Sequence, residues 1–275
     1  MKDIILCDMH VHSRSSHDSE ASVKDTAVCA VENNASAFAI TDHCDIEYYN
    51  EHNVFFLIEA SFNEATEVAK EFSDKVKILR GVEIGEAIWN KEYTDEILNS
   101  FDFDLVIGSV HAVRYKNYTM PYSVIDFSKM SSTEVNEYLN TYFDDLSETV
   151  KSVDFDIMAH LTCPLRYING KYGLKVDTRK YESKIVPILE YIIKNGIAME
   201  INTSGIGSAY DCFMPENWII KKFKEMGGYL VTLGSDAHIS KNVCKDFDKA
   251  IDTLRSMGFT GYYYFENRKA IKCQI

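Results

Sequence analysis

Short apolar runs alternate with amphipathic segments along almost the whole of this 275-residue chain, and that alternation limits the fold more than any other feature. Strand-like runs are expected at 4–7, 37–40, 76–82, 105–110, 155–159, 197–201, 229–233 and 262–265. Helical patterns fall between them at 21–33, 53–72, 92–99, 132–150, 178–195, 215–226 and 250–257. Ser131, Ser132 or Thr133 can cap the fourth helix, with Glu134 or Glu137 in its first turn, and Gly196 can end the fifth. Near-continuous apolar runs mark strands buried on both faces, and repeated βα units mean a parallel sheet covered by helices. No glycine-rich dinucleotide fingerprint follows the first run, as an open nucleotide-binding sheet would require. Count and length favour a closed or nearly closed barrel. The expected fold class is therefore α/β, a distorted (β/α)7 TIM-like barrel. With no linker or composition break, a single domain over 1–275 is expected. Two insertions interrupt the pattern, at 112–130, rich in tyrosine and lysine, and at 161–176.

Composition narrows the partners. Net charge is −13, from 29 basic and 42 acidic residues, which argues against a nucleic acid or an anionic membrane as partner. Seven cysteines lie far apart with no C-x-x-C pair, so neither a disulfide framework nor a zinc ribbon is expected. Met1-Lys2-Asp3 leads straight into the first apolar run, with no signal-peptide core and no run long enough to span a bilayer. A cytoplasmic location is the expectation.

The histidines carry the chemistry. His10, His12, His43, His111, His160 and His238 all fall at the C-terminal ends of expected strands, where barrel active sites are built. His10 and His12, two apart on extended backbone, point to one side. Singly, each reads as a hydrogen-bonded structural histidine; six on one rim read as metal ligands. Glu83 and Asp236 end two more of the same edges. Imidazole mixed with carboxylate suits Zn²⁺, Mn²⁺ or Fe rather than Ca²⁺ or an all-oxygen Mg²⁺ site. So many ligands imply a cluster of two or three ions, which can bind a phosphoryl group, acidify water and stabilise attacking and leaving oxygens together.

The series His10-x-His12, Thr41-Asp42-His43, Gly81-Val82-Glu83, Gly108-Ser109-Val110-His111, His160 and Gly234-Ser235-Asp236-Ala237-His238 resembles the PHP family (polymerase and histidinol phosphatase). Order and spacing fit its histidinol-phosphate phosphatase branch. The resemblance implies a distorted (β/α)7 barrel with three divalent metal ions. His10, His12, Glu83 and Asp236 would hold the first, and Glu83 would bridge to a second completed by His111 and His160. The third would take His43, His238 and either Asp18 or His17, with Asp18 preferred because 13–18 reads Ser-x-x-Ser-x-Asp.

The same resemblance implies hydrolysis of a small phosphorylated substrate, L-histidinol phosphate of histidine biosynthesis, or of another phosphomonoester such as a nucleotide or sugar phosphate. Arg166 matches a position that contacts phosphate, as its planar fork suits. Asn202 is a further substrate-binding candidate. Glu83, Asp236 and His238 form the catalytic set, with Asp236 or His238 as candidates to protonate the leaving alkoxide. Relatives carry a second arginine just after Asn202-Thr203-Ser204-Gly205; here Ile206 and Gly207 follow, leaving Arg14 or Arg114 as substitutes. Two rivals are weaker. Amide or lactone hydrolysis would use a strand-end lysine as bridging carbamate, and Glu83 occupies that place. A non-catalytic metal-binding module would have lost ligands, and every expected ligand type is present.

Overall fold

The computed structural model describes residues 5–275. Ile4, expected to begin the first strand, and Met1 to Asp3 before it lie outside the described residues. In chain order the strands are β1 (Leu6–Val11), β2 (Ala35–Ile40), β3 (His43–Asp45), β4 (Lys77–Gly85), β5 (Leu105–Ser109), β6 (Ile157–Met158), β7 (Ala198–Asn202), β8 (Val231–Gly234), β9 (Gly261–Glu266) and β10 (Lys269–Gln274). The helices are α1 (Val23–Glu32), α2 (Val54–Glu71), α3 (Lys91–Ser100), α4 (Ser132–Ser152), α5 (Glu182–Asn195), α6 (Asn217–Glu225) and α7 (Phe247–Ser256).

Seven parallel strands pair in the order β1-β2-β4-β5-β6-β7-β8, and the short β3 adds to β4 beyond β2. The ring comes together between β1 and the turn after β8: Asp236 N donates to His10 O at 2.8 Å and His12 N to Ala237 O at 3.0 Å. The result is the expected nearly closed, parallel α/β barrel. It is held by an apolar interior in which Val82, Ile107, Ile157, Met199 and Leu233 are fully buried. α4 shows why such helices dock. Val135, Tyr138, Leu139, Tyr142, Phe143 and Leu146 recur at helical spacing and all are buried, each worth about 1.5–3 kcal/mol.

Several boundaries move for local reasons. The strand expected from 229 begins at Val231, because Gly227 turns in the left-handed region and Tyr229 is left exposed. The helix expected from 178 opens with a 3-10 turn, Thr178–Tyr181, before α5. α6 starts two residues after Pro215, and α7 starts at Phe247, ahead of the expected 250. The run at 262–265 pairs antiparallel with β10, which the sequence pattern does not reveal. Asn267 and Arg268, both at positive φ, make its tight hairpin turn. This hairpin sits under the N-terminal ends of the barrel strands: Arg268 N donates to Asp104 O, and Tyr262 Oη accepts from Cys7 N at 2.9 Å. No described helix is long and apolar enough to cross a membrane.

Of the three candidate caps for α4, Ser131 takes the place: its side chain accepts from Glu134 N while Glu134 accepts from Ser131 N at 3.0 Å. Ser131→Ala is expected to cost about 1 kcal/mol, read as a lower denaturant midpoint at unchanged slope.

Candidate metal centre

The barrel brings all nine expected ligand side chains to its C-terminal rim. His10 lies within β1 and His12 just past it; Glu83 lies within β4, two residues before its end. His43 opens β3, His111 and His160 follow β5 and β6, and Asp236 and His238 follow β8. Asp236 adopts φ +52°, a conformation aspartate tolerates better than most, at the turn that carries Asp236 and His238 into the cluster.

Glu83 is the centre. It is fully buried and five imidazoles surround it. Its Oε1 lies 2.9 Å from His160 Nε2 and 3.2 Å from His111 Nε2. Its Oε2 lies 2.9 Å from His43 Nδ1, 3.3 Å from His10 Nε2 and 3.6 Å from His12 Nε2. Asp236 Oδ1 stands 3.3 Å from His12 Nε2 and 3.6 Å from His238 Nδ1. Asp18 reaches His238 Nε2 at 3.2 Å and His43 Nε2 at 3.6 Å. The loop after β1 thus brings Asp18 to this corner; the His17 ring stands 5.6 Å from that of His43, at the cavity mouth.

A second layer fixes which nitrogen faces inward in four of the rings. His10 Nδ1 donates to Glu200 Oε1 at 2.7 Å, and His111 Nδ1 to Asp45 Oδ1 at 3.0 Å. His238 Nδ1 donates to the Asp236 carbonyl at 2.9 Å. His12 Nδ1 meets Ser16 Oγ at 3.0 Å; because that hydroxyl gives its proton to Asp42, it accepts from the ring. In the neutral rings the outward nitrogen carries the proton, and the inward one offers a lone pair. This is the arrangement that orients histidine toward a metal. It also tests whether a cation fits. His10 Nε2, His12 Nε2, His43 Nδ1 and Glu83 Oε2 are buried without hydrogen-bond partners, and the three nitrogens lie within 3.6 Å of Glu83 Oε2. Lone pairs facing a carboxylate repel, and each orphaned group costs about 1–3 kcal/mol; a divalent cation satisfies all of them. The donor set fits such ions.

The electrostatics follow the same map. With no cation in the cluster, burial works against charge on His43, but Glu83 lifts it to about 9. Burial is likewise outweighed at His10 by Glu200 and Glu83, and at His111 by Glu83 and Asp45, so both are held well above the usual range. Burial, then the neighbouring His43 and His238, pushes His12 well below it. Burial would raise Glu83, but His10, His111 and His43 hold it well below the usual carboxylate range. Glu86 is pushed up to about 8 by burial and by Asp45; it accepts from the backbone N–H of His111 and Ala112.

Glu200, Asp42, Asp45 and Glu86 are the functional residues that reasoning from strand ends misses. The available signal is a carboxylate inside or beside an otherwise apolar buried run, as in Ala198-Met199-Glu200-Ile201. Two glycines make room for them. A Cβ at Gly234 would lie 2.1 Å from Glu200 Oε1, and one at Gly85 would lie 2.5 Å from Asp45 Oδ1.

The cluster floors a cavity whose walls include Pro121, Tyr122, Cys163, Arg166 and Tyr167. Arg166, in a π-helical turn, donates to Ser204 Oγ at 3.2 Å. Asn202 is placed differently from the expectation of a substrate contact. It is fully buried below the cavity, its Oδ1 accepts from Ser204 N and Oγ, and its Nδ2 donates to Glu200 Oε2. It positions Ser204 and Glu200. Arg14 and Arg114 do not line the cavity; Arg114 stacks on Trp89 at 4.2 Å.

Residues 8–204 match the family model for the PHP domain. Among curated proteins, the chain is 28% identical over 267 residues to a "probable histidinol-phosphatase" of Clostridium acetobutylicum, covering 96% of this chain and 98% of that one. It is 27% identical over 277 residues to the histidinol-phosphatase of Lactococcus lactis, covering 96% and 98%. Among solved structures, it superposes on the Lactococcus lactis histidinol phosphate phosphatase complexed with zinc, L-histidinol and phosphate. The TM-score is 0.79, over 97% of this chain and 99% of that one at 24% identity.

Glu200→Gln and Gly234→Ala both disturb the Glu200–His10 hydrogen bond. Each is expected to weaken divalent-metal affinity about 10–100-fold, measured by competition with a chromogenic chelator.

Proposed function

This chain belongs to the PHP family, and on that premise we propose that it is a metal-dependent phosphomonoesterase, a histidinol-phosphatase that hydrolyses L-histidinol phosphate to L-histidinol and phosphate. The observation that carries the proposal is Glu83, one buried carboxylate on which ring nitrogens of five imidazoles converge within 3.6 Å. The reading is supported by relatives that bear this name over nearly their full length, and by the Lactococcus lactis enzyme, solved with zinc, L-histidinol and phosphate. The chain from 1 to 275 works as a single phosphatase domain in the cytoplasm, in histidine biosynthesis.

We assign three divalent transition-metal ions, Zn, Mn or Fe. His10, His12, Glu83 and Asp236 would hold the first, Glu83, His111 and His160 the second, and His43, His238 and Asp18 the third. In support, the two oxygens of Glu83 face different sets of imidazoles, and His43 spans from Glu83 to Asp18. When bound, such ions neutralise phosphoryl oxygens and acidify water at neutral pH. Arg166, on the cavity wall, binds phosphoryl oxygens with its fork and is steadied by Ser204. Tyr122, Tyr167 and Pro121 give the same cavity an aromatic and apolar side, where the imidazole-bearing alcohol packs and water is kept from the leaving oxygen.

One observation favours a second reading, a phosphatase for another small phosphomonoester: neither Arg14 nor Arg114 supplies the second arginine. A panel of phosphate esters decides. L-histidinol phosphate is expected to exceed nucleotide and sugar phosphates at least about tenfold in kcat/KM, which is about 1.4 kcal/mol of discrimination. A smaller margin would reject the substrate assignment while leaving the phosphatase intact. Glu83→Ala is expected to abolish turnover and lower metal content by mass spectrometry; a wild-type stoichiometry near one would overturn the three-ion assignment. Arg166→Ala is expected to lower kcat/KM by about 10–100-fold, as loss of a charge-assisted pair implies.

A further inference from the structure

Beyond Arg166 the cavity continues into a second recess, walled by Thr203, Ser204 and Gly207 after β7 and by Asn242 and Lys245 after β8. Arg166, Asp236 and His238 line both spaces, so the two communicate at the phosphate side of the site. Residues 206 and 207, an isoleucine and a glycine, line the recess without bringing a charge to it. Ile206 is buried, and a Cβ at Gly207 would meet nothing within 4 Å.

Lys245, an exposed residue, lines the same recess from the opposite segment and borders a separate surface hollow on its other side. Its backbone is fixed there, since Thr203 Oγ1 donates to Lys245 O at 2.8 Å. Its charge is free. Among the described residues no carboxylate lies within 4.0 Å of its ammonium, whereas Lys249, on the next helix, is held by Asp246 at 2.8 Å. The two carboxylates of the recess are already taken, Asp18 by His238 and Asp236 by His12. A chain of net charge −13 that draws in a phosphate dianion needs local cations at the site. Arg166 and Lys245 are the cations the recess presents, amid the hydroxyls of Thr203 and Ser204.

We propose that Lys245 is the second cation of the phosphate site, in the role a second guanidinium would fill. It contacts the phosphoryl group, and the phosphate left by hydrolysis, from across the recess from Arg166. An ammonium serves as a point charge where a fork cannot be placed. The proposal rests on the phosphatase reading, so its test uses inorganic phosphate, which does not depend on the alcohol. Phosphate is titrated calorimetrically into the zinc-loaded protein. Lys245→Gln is expected to weaken phosphate binding about tenfold, Lys245→Arg to retain it within about threefold, and Lys241→Gln, a lysine outside this recess, to leave it unchanged. The same order is expected in product inhibition by phosphate, with melting temperatures unchanged. Wild-type affinity in Lys245→Gln, or an equal loss in Lys241→Gln, would overturn the role of Lys245 alone. No phosphate binding by the loaded wild type would overturn the phosphatase reading with it.

Discussion

One buried carboxylate sets the terms for the upper half of this barrel. Glu83 carries charge where water cannot reach it, and such a group persists only if opposite charge surrounds it. Five imidazoles from four different strand ends and the segment after β1 surround it. Neutral rings alone would not suffice, because their inward nitrogens are lone pairs. The cluster is therefore a shape completed by cations, and the barrel supplies the rigidity that keeps so many acceptors together. Pairing of β4 with both β3 and β5 places His43 and Glu83 in register, which ties the ligand geometry to backbone hydrogen bonds.

The second layer turns that shape into a ligand set. Glu200 orients His10 and also accepts from His160 N at 2.6 Å, so one carboxylate serves two strand ends. Asp42 accepts from Ser13, Ser16 and Ser61, and through Ser16 it decides the tautomer of His12. Asp8 accepts from Ser235 N and Oγ and from Cys244 N, joining β1 to the turn that carries Asp236 and His238. Burial pushes Asp8 up to about 6 despite those bonds, a sign of how deep this link runs. Small residues are the other half of the layer, since a methyl group at 234 would evict Glu200.

Around this floor the two insertions divide the labour. The segment at 112–130 is pinned to the cluster where Tyr122 N donates to His111 O at 2.9 Å, and it contributes the aromatic side of the cavity. The segment at 161–176 contributes Arg166 on a π-helical turn, with Tyr167 beside it. The two insertions thus give the cavity an aromatic side and a cationic side above the ligand cluster. The chemistry is set by the strands and the selectivity by loops, as is general for barrels.

The sequence by itself determined the βα alternation, the parallel barrel and the residues that crowd its rim. Those features are local: apolar runs bury strands, and position at a strand end assigns a rim. It could not determine β10, whose residues lack an apolar run and become a strand only by pairing with β9. The Ser-x-x-Ser-x-Asp pattern favoured Asp18 over its neighbour His17, but which of the two reaches the cluster is decided only once the loop is folded over His43 and His238. Asn202 looked like a substrate contact from its place after a strand, yet side-chain alternation and the approach of Ser204 turn it to hold Glu200. Glu200, Asp45 and Lys245 owe their meaning to partners more than 35 residues away in sequence: His10, His111 and the segment after β7. Ligand type is written along the chain, whereas the orientation of each ligand depends on contacts between strands, which exist only in the closed barrel.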